Sequence, residues 1–402
     1  MWKFALAAVP AALLVAGIVA LALGLGADEE PRSGGVATVR DAPSPKDSKE
    51  AAKGGGKGKR GLTPGAEVAA LAQSMAVEER VAQLFLLGFQ GQDLNAPIFR
   101  QLRRRGLGGI AIDAQNYVSS DQLASLAGEA RVIAEQEGNV RPWVLAPQEG
   151  GEFNAFPDMP PASAAAELAS ANAAFEESQQ AVATLGGAGL SGVLGPTIDV
   201  GPAAGVAVGA RAFSDDPRDV ADYAEAVVDA YRGASLLAAP GHFPGLGAGT
   251  EDTRLGPSQV GSSLAELRAR DLVPFRAAIR AGVPAITMSN GLYVTDDFVT
   301  PGSLSPALIG GLLRRELGFR GVVITDDLAD PGVTALTAVP KAAVDAIRAG
   351  ADLLYISGPP AEQEAAYAAV LKAARSRAIA PARLKEALLR NLSVKRNYRL
   401  ID

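Results

Sequence analysis

The stretch "SLSPALIGGLLRRELGFRGVVITDDL", residues 303–328, contains a helical segment, a glycine turn and a buried strand in one run. Its first part is an amphipathic helical pattern that is followed by Gly318, and a glycine after the last helical turn is a common helix stop. The apolar run "GVVI", which begins at Gly321, has the length and composition of a buried strand. Two acids, Asp326 and Asp327, follow it closely. The stretch therefore predicts a helix–strand unit with carboxylates at the carboxyl end of the strand.

The same alternation recurs along the chain after residue 63. Short apolar runs alternate with alanine-rich helical stretches, a pattern typical of βαβ units. Eight runs are candidate strands: residues 83–89, 108–113, 142–147, 192–200, 235–241, 284–290, 321–327 and 352–358. Eight such units fit a closed barrel better than an open doubly wound sheet. We therefore predict an α/β fold in which residues 63–402 form a TIM-type (β/α)8 barrel.

Composition limits the chemistry available to this chain. It has 402 residues, a net charge of −6, one histidine and no cysteine. The lack of cysteine excludes thiol catalysis and disulfides, and a single histidine argues against a zinc site of the usual kind. A nucleic-acid partner is not expected, because phosphate binding needs clustered Lys and Arg. No glycine-rich nucleotide-binding motif follows the first candidate strand. We expect neither a metal site nor a nucleic-acid partner.

The amino-terminal segment predicts a membrane anchor. Residues 4–26 carry no charge, and about 23 helical residues at 1.5 Å each can cross a hydrocarbon core of about 30 Å. We predict a single transmembrane helix over residues 1–26. A cleaved signal peptide is the alternative, since residues 20–22 resemble a cleavage box. Lys3 before the span and the acids at 28–30 after it favour a membrane protein with an extracytoplasmic barrel, or a secreted one after cleavage.

Residues 27–62 are predicted to be a disordered linker. They contain almost no large apolar side chains, so they cannot bury enough surface to offset the entropy lost on ordering. The basic run at 53–60 could contact anionic headgroups or wall polymers, but a solvated linker is the interpretation we prefer.

Polar residues follow four of the candidate strands, where a barrel of this kind has its ligand-binding mouth. These segments are "PQEGG" (147–151), "GARAFSDDP" (209–217), "GHFPGLG" (241–247) and "TDDL" (325–328). Because side chains alternate along a strand, one of Asp326 and Asp327 would face the mouth. That carboxylate could attack a sugar carbon and form a covalent glycosyl intermediate. The alternative is that the pair caps a helix or a turn.

His242 and Arg211 each have two interpretations. A lone histidine after a strand can be a hydrogen-bonded structural residue, but the glycines beside His242 permit close approach of a ligand. The guanidinium of Arg211 could hold a carboxylate or a sugar hydroxyl, or could brace a buried loop.

The order of these motifs resembles the N-terminal barrel domain of glycoside hydrolase family 3, and in particular its single-domain bacterial β-N-acetylhexosaminidases. The matching segments, which extend from about residue 64 to the C-terminus, are "QEGG", "ARAFSDDP", "HFPG", "ELRARDLVPFRAAIRAGVPAITMS", "SLSPALIGGLLRRELGFRGVVITDDL" and "AIRAGADLL".

The resemblance implies a retaining hydrolase that removes terminal N-acetylglucosamine from cell-wall or other amino-sugar glycans and needs no cofactor. It implies that Asp326 is the nucleophile. It also implies that Arg211, His242 and Glu149, the last within "QEGG", bind the sugar.

Five positions depart from the family pattern, and all belong to the motifs of the pocket. Pro147 replaces an Asp, Glu152 an Arg and Gly241 a Lys, while Leu246 replaces the second His of "HFPGHG". The acid/base loop of the family carries Asp-Ser-His, and this chain has Arg254 in place of that histidine.

Arginine stays protonated in proteins, so Arg254 has no proton to give a leaving group. General acid–base catalysis contributes about 10²–10⁴-fold in rate, and its loss should slow the hydrolysis of poor leaving groups. Glu251 or Asp252 could act as a substitute carboxylic acid, or could be solvated loop residues. Two functions remain open: a glycosidase with altered or reduced activity, and an inactive relative that binds glycan or a protein partner at the cell surface.

Overall fold

The computed structural model describes residues 64–401. The predicted anchor (residues 1–26) and linker (residues 27–62) lie outside the described residues. Between residues 64 and 401, no helix is both long and apolar enough to span a bilayer.

Eight short parallel strands form the centre of the described region. They are β1 (Phe85–Leu87), β2 (Gly109–Ala111), β3 (Trp143–Ala146), β4 (Gly192–Val193), β5 (Leu237–Ala238), β7 (Ala285–Thr287), β9 (Val322–Ile324) and β10 (Leu354–Ile356). Six of them form a sheet in the order β10-β1-β2-β3-β4-β5, and β7 pairs with β9. The parallel bridges Phe243↔Met288 and Ile324↔Leu353 join these two groups at both edges. The strands therefore close into a ring, and the predicted α/β barrel is confirmed.

Each observed strand lies inside one of the eight predicted runs, and pairing fixes a consistent register. Leu86 is opposite Tyr355 and Gly109, for example, and Ile286 is opposite Val323. The strands are buried on both faces, which explains why they read as continuous apolar runs. Two further strands were not predicted: β6 (Gln259–Val260) pairs with β8 (Leu292–Tyr293) outside the ring.

Helices surround the strands. They are α1 (Pro64–Ser74), α2 (Val77–Ala82), α3 (Pro97–Arg105), α4 (Ser120–Glu137), α5 (Ala171–Gly187), α6 (Pro217–Gly233), α7 (Leu264–Ala269), α8 (Leu272–Arg280), α9 (Pro331–Thr334), α10 (Val339–Ala349), α11 (Pro360–Arg375) and α12 (Pro381–Asn397). Single 3₁₀ turns lie at Ala114–Asn116, Gly151–Phe153, Ala165–Glu167, Gly209–Arg211 and Gly302–Leu304. Gly138 ends α4 in the left-handed conformation, at a φ of 66° that glycine adopts without strain.

Two helical segments are not continuous α-helices. The stretch after residue 262 forms α7 and α8, because the backbone leaves the helical conformation at Arg270, where φ is −123°. The helix that precedes β9 is a π-helix over Ala307–Glu316. Two glycines, Gly310 and Gly311, lie in this segment, and glycine lowers the helix-forming tendency of the sequence around it.

The interior of the ring is filled by large apolar side chains from alternate strands, including Leu86, Trp143, Leu145 and Ile324. Residues at the end of α12 cover the amino-terminal end of the barrel, where the phenol of Tyr398 meets the indole of Trp143 edge-on. The indole Nε1 of Trp143 donates to Asn391 at 2.9 Å. The polar motifs identified in the sequence lie at the opposite end of the ring, at the carboxyl ends of the strands.

Candidate active site

A cavity of about 380 Å³ lies at the carboxyl ends of the barrel strands. This volume is within the range of small-molecule sites, about 300–1,000 Å³. Six carboxylates, two guanidinium groups and the imidazole of the chain line it: Asp113, Glu149, Glu152, Asp326, Asp327, Asp330, Arg211, Arg254 and His242. The structure thus brings together Asp326, Arg211, His242 and Glu149, as the sequence predicted.

The two acids after β9 have different environments. The Asp327 carboxylate accepts hydrogen bonds from the backbone N–H groups of Ala329 at 2.9 Å and Ser357 at 3.0 Å. It therefore stabilises the turn after the strand, which is the structural interpretation of the acid pair. The Asp326 carboxylate accepts one backbone bond, from the N–H of Asp327 at 2.9 Å, and otherwise borders the cavity.

Opposing influences act on the protonation of Asp326. Burial raises the pKa of its carboxyl, while the positive charge of His242, the N–H of Asp327 and the charge of Arg211 act against that rise. The adjacent cations thus favour the ionised form, which is the form a nucleophile needs.

His242 is held by a carboxylate that the sequence analysis did not identify. Its Nδ1 lies 2.7 Å from Oδ2 of Asp199, a side chain with no solvent exposure. The same carboxylate accepts the backbone N–H groups of His242 at 3.1 Å and Leu246 at 2.6 Å. Burial alone would lower the pKa of His242, but the charge and hydrogen bond of Asp199, with the charge of Asp326, raise it to about 9. The imidazole is therefore a cation at neutral pH.

Arg211 is buried beneath the cavity and braced on several sides. Its guanidinium lies 3.0 Å from Asp252 and 3.8 Å from Glu149, and it donates to the backbone oxygen of Val208 at 3.2 Å. Glu149 also accepts the backbone N–H of Thr197 at 2.6 Å. Arg211 therefore braces the loops, as one interpretation predicted, and it also lines the cavity, while its contact with a sugar stays a prediction.

The loop of residues 246–257 is docked over the cavity. The backbone oxygen of Thr253 accepts the N–H of Gly332, in α9, at 2.8 Å, and the Thr253 side chain is only 2% exposed. Asp252 binds Arg254 at 2.5 Å as well as Arg211. The ion pair of Asp252 with Arg211 and the hydrogen bond between Gly332 and Thr253 therefore hold this loop in place.

The two carboxylates proposed as substitute acids lie away from the cavity lining. Burial would raise the pKa of Asp252, but its bonds to Arg254 and the charge of Arg211 prevail and lower it. Glu251 is not among the residues that line the cavity, and its carboxylate lies over Gly256, whose added Cβ would be 3.0 Å from it. Their catalytic role stays a prediction that this geometry does not favour.

The positions that depart from the family pattern have separate environments. Pro147, Glu152, Gly241 and Arg254 line the cavity, so these replacements change its surface directly. Leu246 is 1% exposed and packs in the apolar core, so its replacement changes packing rather than ligand contacts.

Asp199 and Asp330 are the site residues that sequence reasoning missed. Asp199 lies in the apolar segment "GPTIDVGP", and an acid embedded among apolar residues is a signal of a buried charge with a partner. Asp330 follows the acid pair by three residues, where the sequence suggests only a turn before Pro331. Across residues 64–401, no group of three or more His, Asp or Glu side chains is arranged to hold a metal ion.

The arrangement provides a carboxyl group, that of Asp326, near a fixed imidazolium at the open end of a barrel. Such a carboxylate can attack an electrophilic carbon, and the cations around it can hold the oxygens of a polar ligand. Comparisons with known proteins agree with this chemistry. The family model described as "Glycosyl hydrolase family 3 N terminal domain" matches residues 76–394.

Two of the similar proteins are beta-hexosaminidases. A beta-hexosaminidase of Stenotrophomonas maltophilia (strain K279a) is 33% identical over 296 residues, which are 71% of this chain and 86% of that protein. A beta-hexosaminidase of Methylococcus capsulatus is 32% identical over 284 residues, 68% of this chain and 81% of that protein.

Two solved structures have the same fold. The glycoside hydrolase family 3 beta-N-acetylglucosaminidase of Paenibacillus sp. str. FPU-7 superposes with a TM-score of 0.77 at 29% identity, covering 81% of this chain and 63% of that one. The beta-N-acetylhexosaminidase of Beutenbergia cavernae DSM 12333 gives a TM-score of 0.74 at 26% identity, covering 80% and 99%.

Proposed function

This chain belongs to glycosyl hydrolase family 3, and from that premise we propose that it is a retaining O-glycosidase with Asp326 as its nucleophile. In this reaction the carboxylate attacks the anomeric carbon of a terminal sugar and forms a covalent glycosyl-enzyme. Water then hydrolyses the ester, so the product keeps the configuration of the substrate.

The observation that carries this proposal is the position of the Asp326 carboxylate. It borders the cavity, whereas the carboxylate of Asp327 is used in the turn. The charges of His242 and Arg211 act on it and favour its ionised form. The charges of His242 and Arg211 do not contribute in this way to the pKa of Asp327 or of Asp330.

The substrate that fits best is a glycan with a terminal N-acetylated amino sugar. The relatives named above are beta-hexosaminidases, and the similar structures include a beta-N-acetylglucosaminidase. In this chain Arg211, His242 and Glu149 line the cavity, which supports a role for them in binding the sugar hydroxyls.

The replaced cavity residues support weaker binding of the usual sugar or an altered substrate specificity. Pro147 and Gly241 provide no charged group where the family pattern has an Asp and a Lys, and hydrogen bonds to charged groups contribute about 1.5–3 kcal/mol each. We therefore propose reduced affinity for the usual sugar and a stronger dependence on the leaving group.

The amino-terminal sequence supports a location at the outer face of the cell membrane. Residues 4–26 have the length and apolarity of a membrane span, and Lys3 precedes them. If residues 1–26 are an anchor, full-length protein partitions with membranes and keeps these residues. A mature N-terminus near Asp28 would show a cleaved signal and a secreted protein instead.

The second candidate function is glycan binding without hydrolysis, and one observation favours it. Arg254 occupies the cavity where the family pattern has a proton donor, and arginine cannot donate at neutral pH. In that case the protein would bind an N-acetylglucosamine oligosaccharide and turn over no glycoside.

The deciding experiment uses an aryl N-acetyl-β-glucosaminide with a strongly activated phenol, which leaves without acid assistance. We expect measurable turnover by the full-length chain and its loss in Asp326→Ala. Asp229→Ala, at an exposed position on α6, is the matched control and should keep the activity. Absence of turnover on a panel of activated aryl glycosides, with calorimetric binding of the oligosaccharide, would favour the binding function.

A further inference from the structure

We propose that Asp330 is the general acid and base of this glycosidase, an inference that rests on the function proposed above. Family members supply this proton from the loop that here carries Arg254, so the assignment gives the reaction a different donor on a different element. It also makes acid-assisted hydrolysis possible despite the arginine.

Asp330 is placed where a helix cap would be, but its carboxylate does not cap the helix. It directly precedes α9, and no hydrogen bond joins its side chain to the N–H groups of that helix. The side chain lines the cavity together with Asp326. Its backbone is fixed, since its N–H donates to the oxygen of Asp327 at 3.2 Å and its oxygen accepts from Val333 at 2.9 Å. The carboxyl is therefore held by its backbone and left available to a ligand.

The surroundings of Asp330 favour a proton on its carboxyl. Burial is the largest influence and raises its pKa, and the charges of Asp326, Asp327 and Asp252 raise it further, to about 9, against the opposing charge of Arg254. A carboxylic acid in an acidic, partly buried pocket therefore stays protonated at neutral pH. Protonation at neutral pH is the first requirement of a general acid.

The docked loop brings Asp330 and Arg254 to the same part of the cavity. The hydrogen bond from the N–H of Gly332 to the oxygen of Thr253 joins the start of α9 to the loop. Arg254 and Asp330 both line the cavity, and each appears among the charges that shift the other's pKa. Asp330 thus lies near Arg254, the position at which the family pattern has its proton donor.

Three other carboxyls near the cavity have other tasks. Asp252 is held ionised by Arg211 and Arg254. Glu149 accepts the N–H of Thr197 and lies beside Arg211, while Asp327 accepts two backbone N–H groups. Asp330 is the cavity acid that combines a raised pKa with a carboxylate free of such bonds.

The two steps balance with these groups alone. In the first, the Asp330 carboxyl gives its proton to the glycosidic oxygen as the bond from that oxygen to the anomeric carbon breaks, and Asp326 forms its ester with that carbon. The leaving group departs as a neutral alcohol. In the second, the Asp330 carboxylate takes a proton from water, whose oxygen attacks the anomeric carbon and releases Asp326.

The charge of Asp326 couples these steps. While Asp326 is ionised it raises the pKa of Asp330 and keeps the acid protonated. Once Asp326 is esterified this charge is lost, so the pKa of Asp330 falls and the group is better suited to act as a base. The same residue therefore changes role with the state of its neighbour.

The test compares two aryl N-acetyl-β-glucosaminides, one with a strongly activated phenol and one with a poor leaving group, in full-length Asp330→Asn and Asp330→Ala. We expect kcat/KM to fall by about 10²–10⁴-fold for the poor leaving group and to change little for the activated one. Azide, which needs no general base, should accelerate turnover of the activated substrate by Asp330→Ala and yield a β-glycosyl azide.

Three further variants make the outcome specific. The proposal would be overturned if Glu251→Gln or Asp252→Asn showed this leaving-group dependence and azide rescue while the Asp330 variants did not. Equal losses for both substrates in Asp330→Asn and Asp330→Ala, with unchanged thermal unfolding, would overturn it as well. Asp330→Glu keeps a carboxylic acid and should retain part of the poor-substrate activity. Lack of turnover of the activated substrate by the unaltered chain would instead refute the glycosidase function itself.

Discussion

Nδ1 of His242 lies 2.7 Å from Oδ2 of Asp199, and the Asp199 side chain has no solvent exposure. A buried carboxylate needs a partner, and this one has an imidazolium and two backbone N–H groups. The pair fixes a positive charge near Asp326. The environment of Asp326, the proposed nucleophile, therefore depends on an acid that does not line the cavity.

We predict that the pKa of His242 is about 9 and falls in Asp199→Asn, because the asparagine removes the charge that stabilises the imidazolium. Since the chain has one histidine, an NMR titration of the imidazole nitrogens reads this pKa without assignment. A value near the ordinary 6.5 in the unaltered protein would contradict the prediction.

The same pair predicts a pH dependence of stability. The folded-state pKa of His242, about 9, is above the unfolded value of 6.5. The protonated pair therefore contributes its full stabilisation below pH 6.5, and this contribution is lost as pH rises through 9. Asp199→Asn should cost about 3–5 kcal/mol at pH 6, as for breaking a buried pair, and less at pH 10. Urea unfolding at the two pH values measures this difference.

The pH profile of kcat/KM for a poor leaving group should be bell-shaped. The acidic limb reflects Asp326, whose pKa burial raises above 3.8, because the nucleophile must be ionised. The alkaline limb should lie near pH 9, where Asp330 and His242 lose their protons. Activity that continues to rise between pH 9 and pH 10 would be incompatible with these assignments.

Asp271 predicts a stability effect outside the site. Its side chain is 2% exposed, and neither carboxylate oxygen has a hydrogen-bond partner. Burial raises its pKa from 3.8 to about 6, so stability falls as pH rises through this interval. In Asp271→Asn, the loss of unfolding free energy between pH 4 and pH 8 should shrink by about 2–3 kcal/mol, at 1.36 kcal/mol per pKa unit. An unchanged loss would show that Arg270, whose guanidinium lies 3.5 Å from Oδ1 of Asp271, offsets the effect of burial.

Gly332→Ala tests the docked loop. A Cβ at this position would lie 2.9 Å from the oxygen of Thr253 and 3.0 Å from its Cβ, so the loop would have to move. We expect kcat/KM to fall by about tenfold, as misplacement of catalytic geometry allows. Gly128→Ala, in α4 with no atom within 4 Å, makes the same chemical change and should leave kcat/KM unaltered. Equal kinetics in both variants would show that the loop position is not needed.

The sequence predicted the barrel well because buried parallel strands carry their signal locally. Each of the eight strands lies within a predicted run, since every run has an apolar segment that is followed by helix and turn signals. The break at Arg270 and the π-helix at Ala307–Glu316 were not predictable in this way, because both are irregularities within patterns that read as continuous helix.

The site was predictable where residues stand in ordered motifs, and less so where function depends on contacts across the fold. Asp326, Arg211 and His242 follow strands and line one cavity, as expected. Asp199 acquires its role from His242, which is distant in sequence, and the properties of Asp330 depend on its burial and on charges that the fold brings around it. Asp252, by contrast, follows a strand-end motif, but its carboxylate is engaged in ion pairs with Arg211 and Arg254.

The central claim is that Asp326 forms a covalent bond to the sugar. It is tested most directly by mass spectrometry of the full-length chain after reaction with a fluorinated N-acetylglucosaminyl fluoride, whose ester hydrolyses slowly. We predict a stoichiometric mass increase located on the peptide that contains Asp326, and none in Asp326→Ala. A label on another residue, or steady turnover of activated glycosides by Asp326→Ala, would contradict it.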